Sequence, residues 1–325
     1  MNIHCRVVKM SMAGMLTVMA GFSAAQTAYP SKPIRLISPY AAGGSVTIVA
    51  HMIGQRLAEG LGQQVIVDNR PGGNTIIGSE ALAKSAPDGY TLLTVTNTHV
   101  VNQSLFATPY DALRDFVGVA TVCTAAQMLV VNPSLPAKTV QEVIALLKAQ
   151  PGKFNYASSG NGTTNHTAGE FFKLAAGVDM QHIPYKGGAP AITDLIGGQV
   201  QLSFQAPATA MNLIKSGRVR PIATASRSRL AALPDLPTFA EAGLPGFEAE
   251  IWYGILAPAG TPKEIIHKLS GEIARIVAMP EVKKEIAAQG MEPFVTNPDE
   301  FAALMRADFA KYAKIIKAAN IKVEN

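Results

Sequence analysis

The amino-acid sequence predicts an α/β protein of two lobes joined by a hinge. Short runs rich in Val and Ile alternate with longer amphipathic stretches, and Gly, Ser, Thr and Asn fill the joins between them. This alternation is typical of parallel strands with crossover helices. It pauses in a nearly uncharged stretch at residues 117–131 and then restarts, and the chain of 325 residues exceeds the usual size of a single core. Two domains are therefore expected.

The first 25 residues are predicted to be a secretory signal peptide. Arg6 and Lys9 precede an uncharged apolar run from Met10 to Phe22, and Ser23-Ala-Ala has the small-x-small form of a cleavage site. The apolar run is too short to cross a bilayer, which takes about 20 residues. We expect a soluble chain that begins near Gln26 in the periplasm, with its formal net charge lowered from +5 to +3 by the loss of two basic residues.

The first half of the secreted chain alternates strand and helix. Strands are predicted at residues 34–38, 65–67 and 91–95. Helices are predicted at residues 46–61 and 77–85, and Pro87-Asp-Gly stops the second of them. The order strand, helix, strand, helix, strand predicts a parallel sheet.

The same pattern restarts after residue 131. Helices are predicted at residues 140–149, 166–176 and 189–196, and strands at residues 154–158, 182–185 and 200–204. The chain is expected to cross back through residues 250–258, where Trp252 should pack in the core or hinge, and the later helices at residues 263–277, 282–289 and 299–319 should pack on the first lobe. The predicted domains are a signal peptide (1–25), a first lobe (26–125 with 252–325) and a second lobe (126–251).

Four joins share a sequence of strand end, small polar residues and helix start. They are Ala41–Thr47, Ser158–Asn165, Lys186–Pro190 and Gln205–Thr209. The first backbone N–H groups of a helix have no partner within the helix and carry partial positive charge, so they stabilise an anion without a charged side chain. Glycine allows close approach of the backbone, and Ser or Thr adds a donor. The joins predict a cleft that grips a molecule with a carboxylate at each end, although each join alone is also an ordinary connection of an α/β sheet.

Several other kinds of site are not expected. Removal of Cys5 with the signal peptide leaves Cys123 alone, so no disulfide or Cys-based metal site can form within one chain. Lys and Arg are scattered, which argues against nucleic acid as a partner. His166 and Glu170 have the i, i+4 spacing of two metal ligands, but a third ligand has no candidate. Residues 160–165 lack the third glycine of a dinucleotide fingerprint, so no cofactor is expected.

Eight short motifs follow one another along the whole secreted chain. They are Tyr29-Pro-Ser-Lys-Pro-Ile-Arg35, Pro39-Tyr-Ala-Ala-Gly-Gly-Ser45, Val67-Asp-Asn-Arg-Pro-Gly72, Ala86-Pro-Asp-Gly-Tyr-Thr91, Asn155-Tyr-Ala-Ser-Ser-Gly-Asn-Gly162, Ile183-Pro-Tyr-Lys-Gly187, Leu233-Pro-Asp-Leu-Pro-Thr238 and Ala257-Pro-Ala-Gly-Thr-Pro262. In this order and at this spacing they resemble the Bug-type receptors of tripartite tricarboxylate transporters, a family of periplasmic solute-binding proteins.

The resemblance implies a Venus-flytrap fold, in which the loops after the first strand of each lobe hold the ligand. It also implies a small carboxylate as ligand, membrane components of a tripartite tricarboxylate-type transporter as partners, a monomer and no catalytic residue. Nineteen residues are expected to form the ligand site: Tyr40, Ala41, Ala42, Gly43, Gly44, Ser45, Thr47, Asn97, Ser158, Ser159, Gly160, Asn161, Gly162, Thr163, Thr164, His166, Tyr185, Lys186 and Gln205.

The sequence departs from the family pattern at two places beside these loops. Thr47 and His51 stand where the family usually has an acidic and a basic residue, and the run Gly72-Gly-Asn-Thr75 replaces the usual Gly-Ala-Gly-Gly. The ligand is therefore left open between an aromatic dicarboxylate such as terephthalate and an aliphatic di- or tricarboxylate.

Two alternative functions remain open from the sequence. One is a secreted serine hydrolase, with Ser45 or Ser159 as nucleophile and His166 or His182 as base. Such a site needs the serine and histidine within hydrogen-bond reach and a third group that orients the base. The other is an orphan receptor that signals to a sensor instead of supplying a transporter.

Overall fold

The fold consists of two sheets covered by helices. It is seen in a computed structural model that describes residues 29–318, and the predicted signal peptide lies outside the described residues. In this part of the chain the strands are β1 (Ile34–Ser38), β2 (Val65–Asn69), β3 (Thr91–Thr96), β4 (Phe116–Ala126), β5 (Met128–Val131), β6 (Asn155–Ser158), β7 (Gln181–Pro184), β8 (Leu202–Gln205), β9 (Arg220–Thr224), β10 (Glu250–Pro258) and β11 (Glu292–Pro293).

The helices alternate with these strands along most of the chain. They are α1 (Ser45–Leu61), α2 (Ile76–Ala83), α3 (Thr98–Leu105), α4 (Val140–Ala149), α5 (Thr164–Ala176), α6 (Gly188–Ile196), α7 (Pro207–Lys215), α8 (Lys263–Ala278), α9 (Pro280–Ala288) and α10 (Pro298–Ala318). None of the described helices combines the length and the apolar character that a membrane crossing requires.

The two sheets share one topology over five strands, and β11 adds a sixth strand to the first. The first has the strand order β2-β1-β3-β10-β4-β11 and the second the order β7-β6-β8-β5-β9. In the first sheet β1 is parallel to β2 and β3, and β10 is antiparallel to β3 and β4. In the second sheet β6 is parallel to β7 and β8, and β5 is antiparallel to β8 and β9. The predicted fold of two α/β lobes, with the architecture of the first repeated in the second, is confirmed.

A narrow hinge joins the two sheets. Gln127 alone separates β4 in the first sheet from β5 in the second. Its backbone N–H donates to the carbonyl of Ala249, its carbonyl accepts from the N–H of Ala225, and the N–H of Ala249 donates to the carbonyl of Ala225. The two crossings are thereby hydrogen-bonded to each other. The buried Gln127 amide also donates to Thr164 Oγ1 at 3.0 Å, which ties the hinge to the start of α5.

The C-terminal helices pack on the first sheet, as predicted. α8 lies against β4 and α1, and α10 lies against β4 and α3. Phe301 of α10 is fully buried over two glycines, Gly118 of β4 and Gly254 of β10. A Cβ atom at Gly118 would come within 2.7 Å of Phe301 Cδ1, so the close approach of helix and sheet requires glycine there. Burial of a phenylalanine side chain contributes roughly 1.5 to 3 kcal/mol to the docking of α10.

Candidate ligand-binding cleft

The predicted loops meet because each follows the carboxyl end of a strand within the parallel part of its sheet. In open α/β sheets this edge is where ligands bind. The loops after β1 and β6, one from each lobe, border a small inner cavity together with the ends of β3 and β8. The cavity has a volume of about 20 Å³, which is room for about one water molecule. Six predicted site residues line it: Tyr40, Gly44, Ser45, Ser159, Thr164 and Gln205.

Four helices begin at the inner cavity. The residues that precede α1, α5, α6 and α7 are Gly44, Thr163, Gly187 and Ala206, and none of them caps its helix with a side-chain hydrogen bond. None of the four helices has an acidic residue in its first turn. Of the six described helices that do not line this cavity, α4, α8, α9 and α10 begin with acidic residues, and α2 and α3 do not. The acidic residues are Glu142, Glu264, Glu281, Asp299 and Glu300. The cavity thus collects uncompensated helix N-termini, which favour an anion.

The lining of the inner cavity contains neutral polar groups and no Lys, Arg, Asp or Glu. Its remaining members are Val46, Thr96, Asn165, Gly188, Ala206, Thr209, Ile251 and Tyr253. A bound anion would therefore be stabilised by backbone N–H groups, hydroxyls and amides. Such fixed dipoles act more strongly where water is excluded, because the local dielectric constant is low.

A larger outer cavity adjoins the inner one. Its volume is about 240 Å³, and it shares Tyr40 and Ser159 with the inner cavity. The loop at residues 72–75 lines one side. The other lining residues are Pro39, Asn161, Pro184, Tyr185 and Lys186. Lys186 is the one charged residue in this lining, and it is exposed at the rim.

The loops of the two lobes touch around the cavities, so the cleft is closed. The backbone N–H of Ala41 in the first lobe donates to the carbonyl of Lys186 in the second at 3.3 Å. Gly187 has a φ of 135°, and a Cβ atom there would lie 3.3 Å from the backbone nitrogen of Ala41. Gly160 has a φ of 133°, and a Cβ atom there would lie 2.8 Å from Asn74 Oδ1 across the cleft. Glycine is required at both positions by conformation and by space.

Five predicted residues hold the loop after β6 in shape instead of lining the inner cavity. The Ser158 hydroxyl lies 2.5 Å from His182 Nε2 and 3.0 Å from the carbonyl of Gly160. The Thr163 hydroxyl donates to the same carbonyl at 2.7 Å. The backbone N–H of Gly162 donates to Nδ1 of His166 at 2.9 Å.

The loop depends on a neutral histidine at position 166. Burial lowers the pKa of His166 to about 4, with an opposing influence from Glu170. Burial and the neighbouring His166 lower the pKa of His182 to about 2, and the two rings are stacked with their centroids 4.0 Å apart. At neutral pH the Nδ1 atom of His166 is therefore unprotonated and accepts the hydrogen bond from the loop.

Thr47 and Asn97, which the sequence assigned to the ligand site, lie outside both cavities. The Thr47 hydroxyl is 2.9 Å from Ser38 Oγ and accepts from the Asn69 side chain at 2.9 Å, so it joins α1 to the first sheet. The Asn97 side chain donates to Asp308 at 2.8 Å and accepts from the backbone N–H of Trp252 at 3.1 Å. Ala42 and Gly43 are exposed at the rim of the loop after β1.

Trp252 occupies the hinge strand, as predicted, and anchors it to the C-terminal helix. Its side chain is buried against Phe301, and its indole N–H donates to Asp308 at 2.7 Å. Asn97, Trp252 and Asp308 thereby join the start of α3, β10 and α10 behind the cleft.

The serine and histidine residues do not form the site that a hydrolase requires. The Ser159 hydroxyl donates to Asn165 Oδ1 at 2.7 Å and has no histidine partner among the described residues. The serine that does contact His182 is Ser158, which is fully buried. In the described part of the chain no three His, Cys, Asp or Glu side chains cluster as metal ligands would.

A family model described as "Tripartite tricarboxylate transporter family receptor" matches residues 49–321. The chain belongs to this receptor family. A curated relative is Protein BugT of Bordetella pertussis, which is 35% identical over 97% of this chain and 98% of BugT. Since the family consists of transport receptors, the protein is a solute-binding receptor and not an enzyme.

Solved structures of relatives of this receptor have the same fold. One described as the structure of a periplasmic transporter is 40% identical, has a TM-score of 0.89, and covers 91% of this chain and 100% of its own. The Rhodopseudomonas palustris protein Rpa4515 with adipate is 33% identical, with a TM-score of 0.89 and coverage of 90% and 99%. MatC from the same species, with bound malate, is 27% identical, with a TM-score of 0.83 and coverage of 89% and 100%.

Proposed function

We propose that this receptor works in the periplasm as a monomer, captures a small dicarboxylate between its lobes and delivers it to the membrane components of a tripartite tricarboxylate-type transporter. The lobes of this proposal are residues 26–125 with 252–325 and residues 126–251. The predicted site residues contribute to the cleft or to its supporting loops, except Thr47 and Asn97, which join elements of the first lobe.

The convergence of four uncapped helix N-termini on one uncharged cavity is the observation that carries this proposal. Each of α1, α5, α6 and α7 begins beside this cavity without a side-chain cap and without an acidic residue in its first turn. A carboxylate accepts several such hydrogen bonds at once, and charge-assisted bonds are about twice as strong as neutral ones. Sugars and other neutral ligands carry no charge, so the positive potential at the helix N-termini would not stabilise them.

The two cavities support a ligand with a second carboxylate. The inner cavity of the closed arrangement has a volume of about 20 Å³, so the ligand enters with the lobes apart and the lobes close around its deep carboxylate. The outer cavity of about 240 Å³ accommodates the rest of a small molecule, and Lys186 stands at its rim to pair with a distal carboxylate. The dicarboxylates adipate and malate, bound by two relatives, have this form.

Closure is coupled to binding because the contacts are shared between lobes. Loops from both sides line each cavity, so a ligand gains its full set of donors only when the lobes are together. A ligand shifts an open-to-closed equilibrium by its difference in affinity for the two states. The closed receptor would then be the form that the transporter recognises.

A thermal-shift and calorimetric screen tests the proposal on the secreted chain. The ligands are adipate, malate, citrate and terephthalate, with adipamide and glucose as neutral comparisons. We expect stabilisation by dicarboxylates only, of about 2.7 kcal/mol at a hundredfold excess over Kd. If adipamide or glucose raises the melting temperature while every carboxylate leaves it unchanged, the proposal is wrong.

A variant at the rim tests the second carboxylate. Lys186→Gln should weaken adipate several-fold, in line with the roughly 1 kcal/mol of an exposed ion pair, and leave the monocarboxylate hexanoate unchanged. Lys138→Gln, an exposed lysine at a different cavity of the second lobe, is the matched control. Uptake of labelled ligand by cells that have or lack the receptor gene then tests delivery to a transporter.

A further inference from the structure

Tyr253 reaches the inner cavity from the centre of the first sheet. It lies on β10, opposite Thr96 of β3 on one side and Cys123 of β4 on the other. Its side chain is fully buried within the main hydrophobic cluster of the first lobe and forms part of the cavity lining. The sequence predicted only a crossing segment at this position and assigned no ligand role to it.

The Tyr253 hydroxyl is buried and has no hydrogen-bond partner among the described residues. An unmade hydrogen bond of a buried hydroxyl is costly, and such groups are rare in folded proteins. Of the described side chains with a buried unpartnered oxygen, Tyr253 is the one that lines the inner cavity. The position of this hydroxyl points to a ligand that supplies the missing partner.

Three other polar side chains of the cavity already have hydrogen-bond partners within the second lobe. Ser159 donates to Asn165, Thr164 accepts from Gln127, and the Gln205 amide donates to Ser203 at 2.8 Å. On the opposite wall the Ser45 hydroxyl lies near the Tyr253 phenol, but no hydrogen bond of ordinary geometry joins them, so the phenol remains a donor without a partner. Its ring is fixed by the surrounding core, so the hydroxyl cannot turn to a distant partner.

The phenol remains protonated throughout the physiological range. Burial raises the pKa of Tyr253, and the nearby Ser45 hydroxyl offsets this only in part. The group therefore presents an O–H donor and no negative charge, as an anion site requires.

We propose that Tyr253 is a further ligand-binding residue, whose hydroxyl donates a hydrogen bond to the deep carboxylate of the ligand. This inference rests on the proposed function, since it takes the inner cavity as a carboxylate site. Tyr253 completes that site from the hinge strand, opposite the helix starts of the second lobe. The donor set at the deep carboxylate is then a neutral phenol together with backbone N–H groups.

The test compares Tyr253→Phe with Tyr110→Phe. Tyr110 is a matched control because its hydroxyl is also buried and unpartnered, but it lies in a separate core cluster of the first lobe, between His99 and Phe116, and lines neither the inner nor the outer cavity. Each substitution removes one unsatisfied hydroxyl and leaves the ring, so neither should lower the free energy of unfolding of the ligand-free protein.

Isothermal titration with adipate, malate, citrate and terephthalate measures the effect. For each of these that binds the parent protein, Tyr253→Phe should raise Kd about tenfold to a hundredfold, which is about 1.4 to 2.8 kcal/mol. Tyr110→Phe should leave Kd within a factor of two. Equal Kd values for Tyr253→Phe and the parent would overturn this inference alone, as would equal weakening by both variants. If the parent binds none of the four, the proposed function fails first and this inference with it.

Discussion

Ser45 is the first residue of α1 and lines the inner cavity, so Ser45→Asp places a fixed carboxylate where the ligand's deep carboxylate should bind. Two unit charges roughly 4 to 6 Å apart repel by about 3 to 4 kcal/mol at an effective dielectric constant of about 20. This corresponds to a rise in Kd of about a hundredfold to a thousandfold. The new carboxylate also interacts with the backbone N–H groups at the start of α1, which are then no longer free for the ligand.

The same substitution should not unfold the protein. An acidic residue in the first turn interacts favourably with the helix dipole, by about 0.3 to 1 kcal/mol, so the melting temperature of the ligand-free variant should stay or rise. Loss of binding would then report on the site and not on stability.

Ser45→Asn is the matched control, because it has the size and shape of the aspartate without its charge. Calorimetric titration of the dicarboxylate that binds best should show a modest change for Ser45→Asn and near loss of binding for Ser45→Asp. A Kd for Ser45→Asp within threefold of that for Ser45→Asn would refute the argument that an anion binds at this helix start.

Three further predictions concern stability, measured by urea unfolding. Since burial lowers the pKa of His166 from 6.5 to about 4, the unfolded chain binds a proton in this interval that the folded chain does not. The contribution of His166 to stability should be constant above pH 6.5 and should be lost as the pH drops toward 4. His166→Asn keeps an acceptor for the loop and should lose about 3 kcal/mol less than the parent over this range. His99 and His182, whose pKa values are also lowered by burial, contribute to the pH dependence of both proteins. Gly169→Ala would bring a Cβ atom of α5 into the ring of Tyr156 and should lower the free energy of unfolding by about 1 to 3 kcal/mol. Gly271→Ala in α8 meets no atom within 4 Å and should raise it by up to about 1 kcal/mol. Equal effects of the two variants would contradict the packing of α5 on Tyr156. Trp252→Phe leaves a buried aspartate without its indole donor and should cost about 1 to 3 kcal/mol, and an unchanged midpoint would show that this bond contributes nothing.

Strands and helices with a clear repeat were predictable from the sequence, whereas β4, β5, β9, β11, α3 and α7 received no predicted range. Two of these, α3 and β9, show why. α3 received no predicted range because most residues of Thr98–Leu105 are polar, so the segment looks like a loop, although Thr98 to Asn102 are all buried in the fold. β9 was missed because Arg220 and Pro221 interrupt its apolar character, and it forms only by pairing with β5.

The four joins were located correctly between strand ends and helix starts, but the sequence did not show which of their side chains face the cleft. Ser45 and Ser159 line the inner cavity, whereas Thr47 and His166 turn into their own lobes. Neighbouring loop residues differ in this way because the orientation of each side chain depends on tertiary hydrogen bonds. The spacing of residues in the sequence does not predict those bonds.

The sequence by itself determined the local character of each segment and, through its motifs, the receptor family. Apolar periodicity sets strands and helices, and glycines with small polar residues set the joins, since both effects act over a few neighbouring residues. Only the tertiary structure decided that β10 inserts between β3 and β4 and brings Tyr253 to the cavity. Strand order and register rest on pairing between segments more than 100 residues apart, and a shift of one residue would turn the tyrosine to the other face of the sheet.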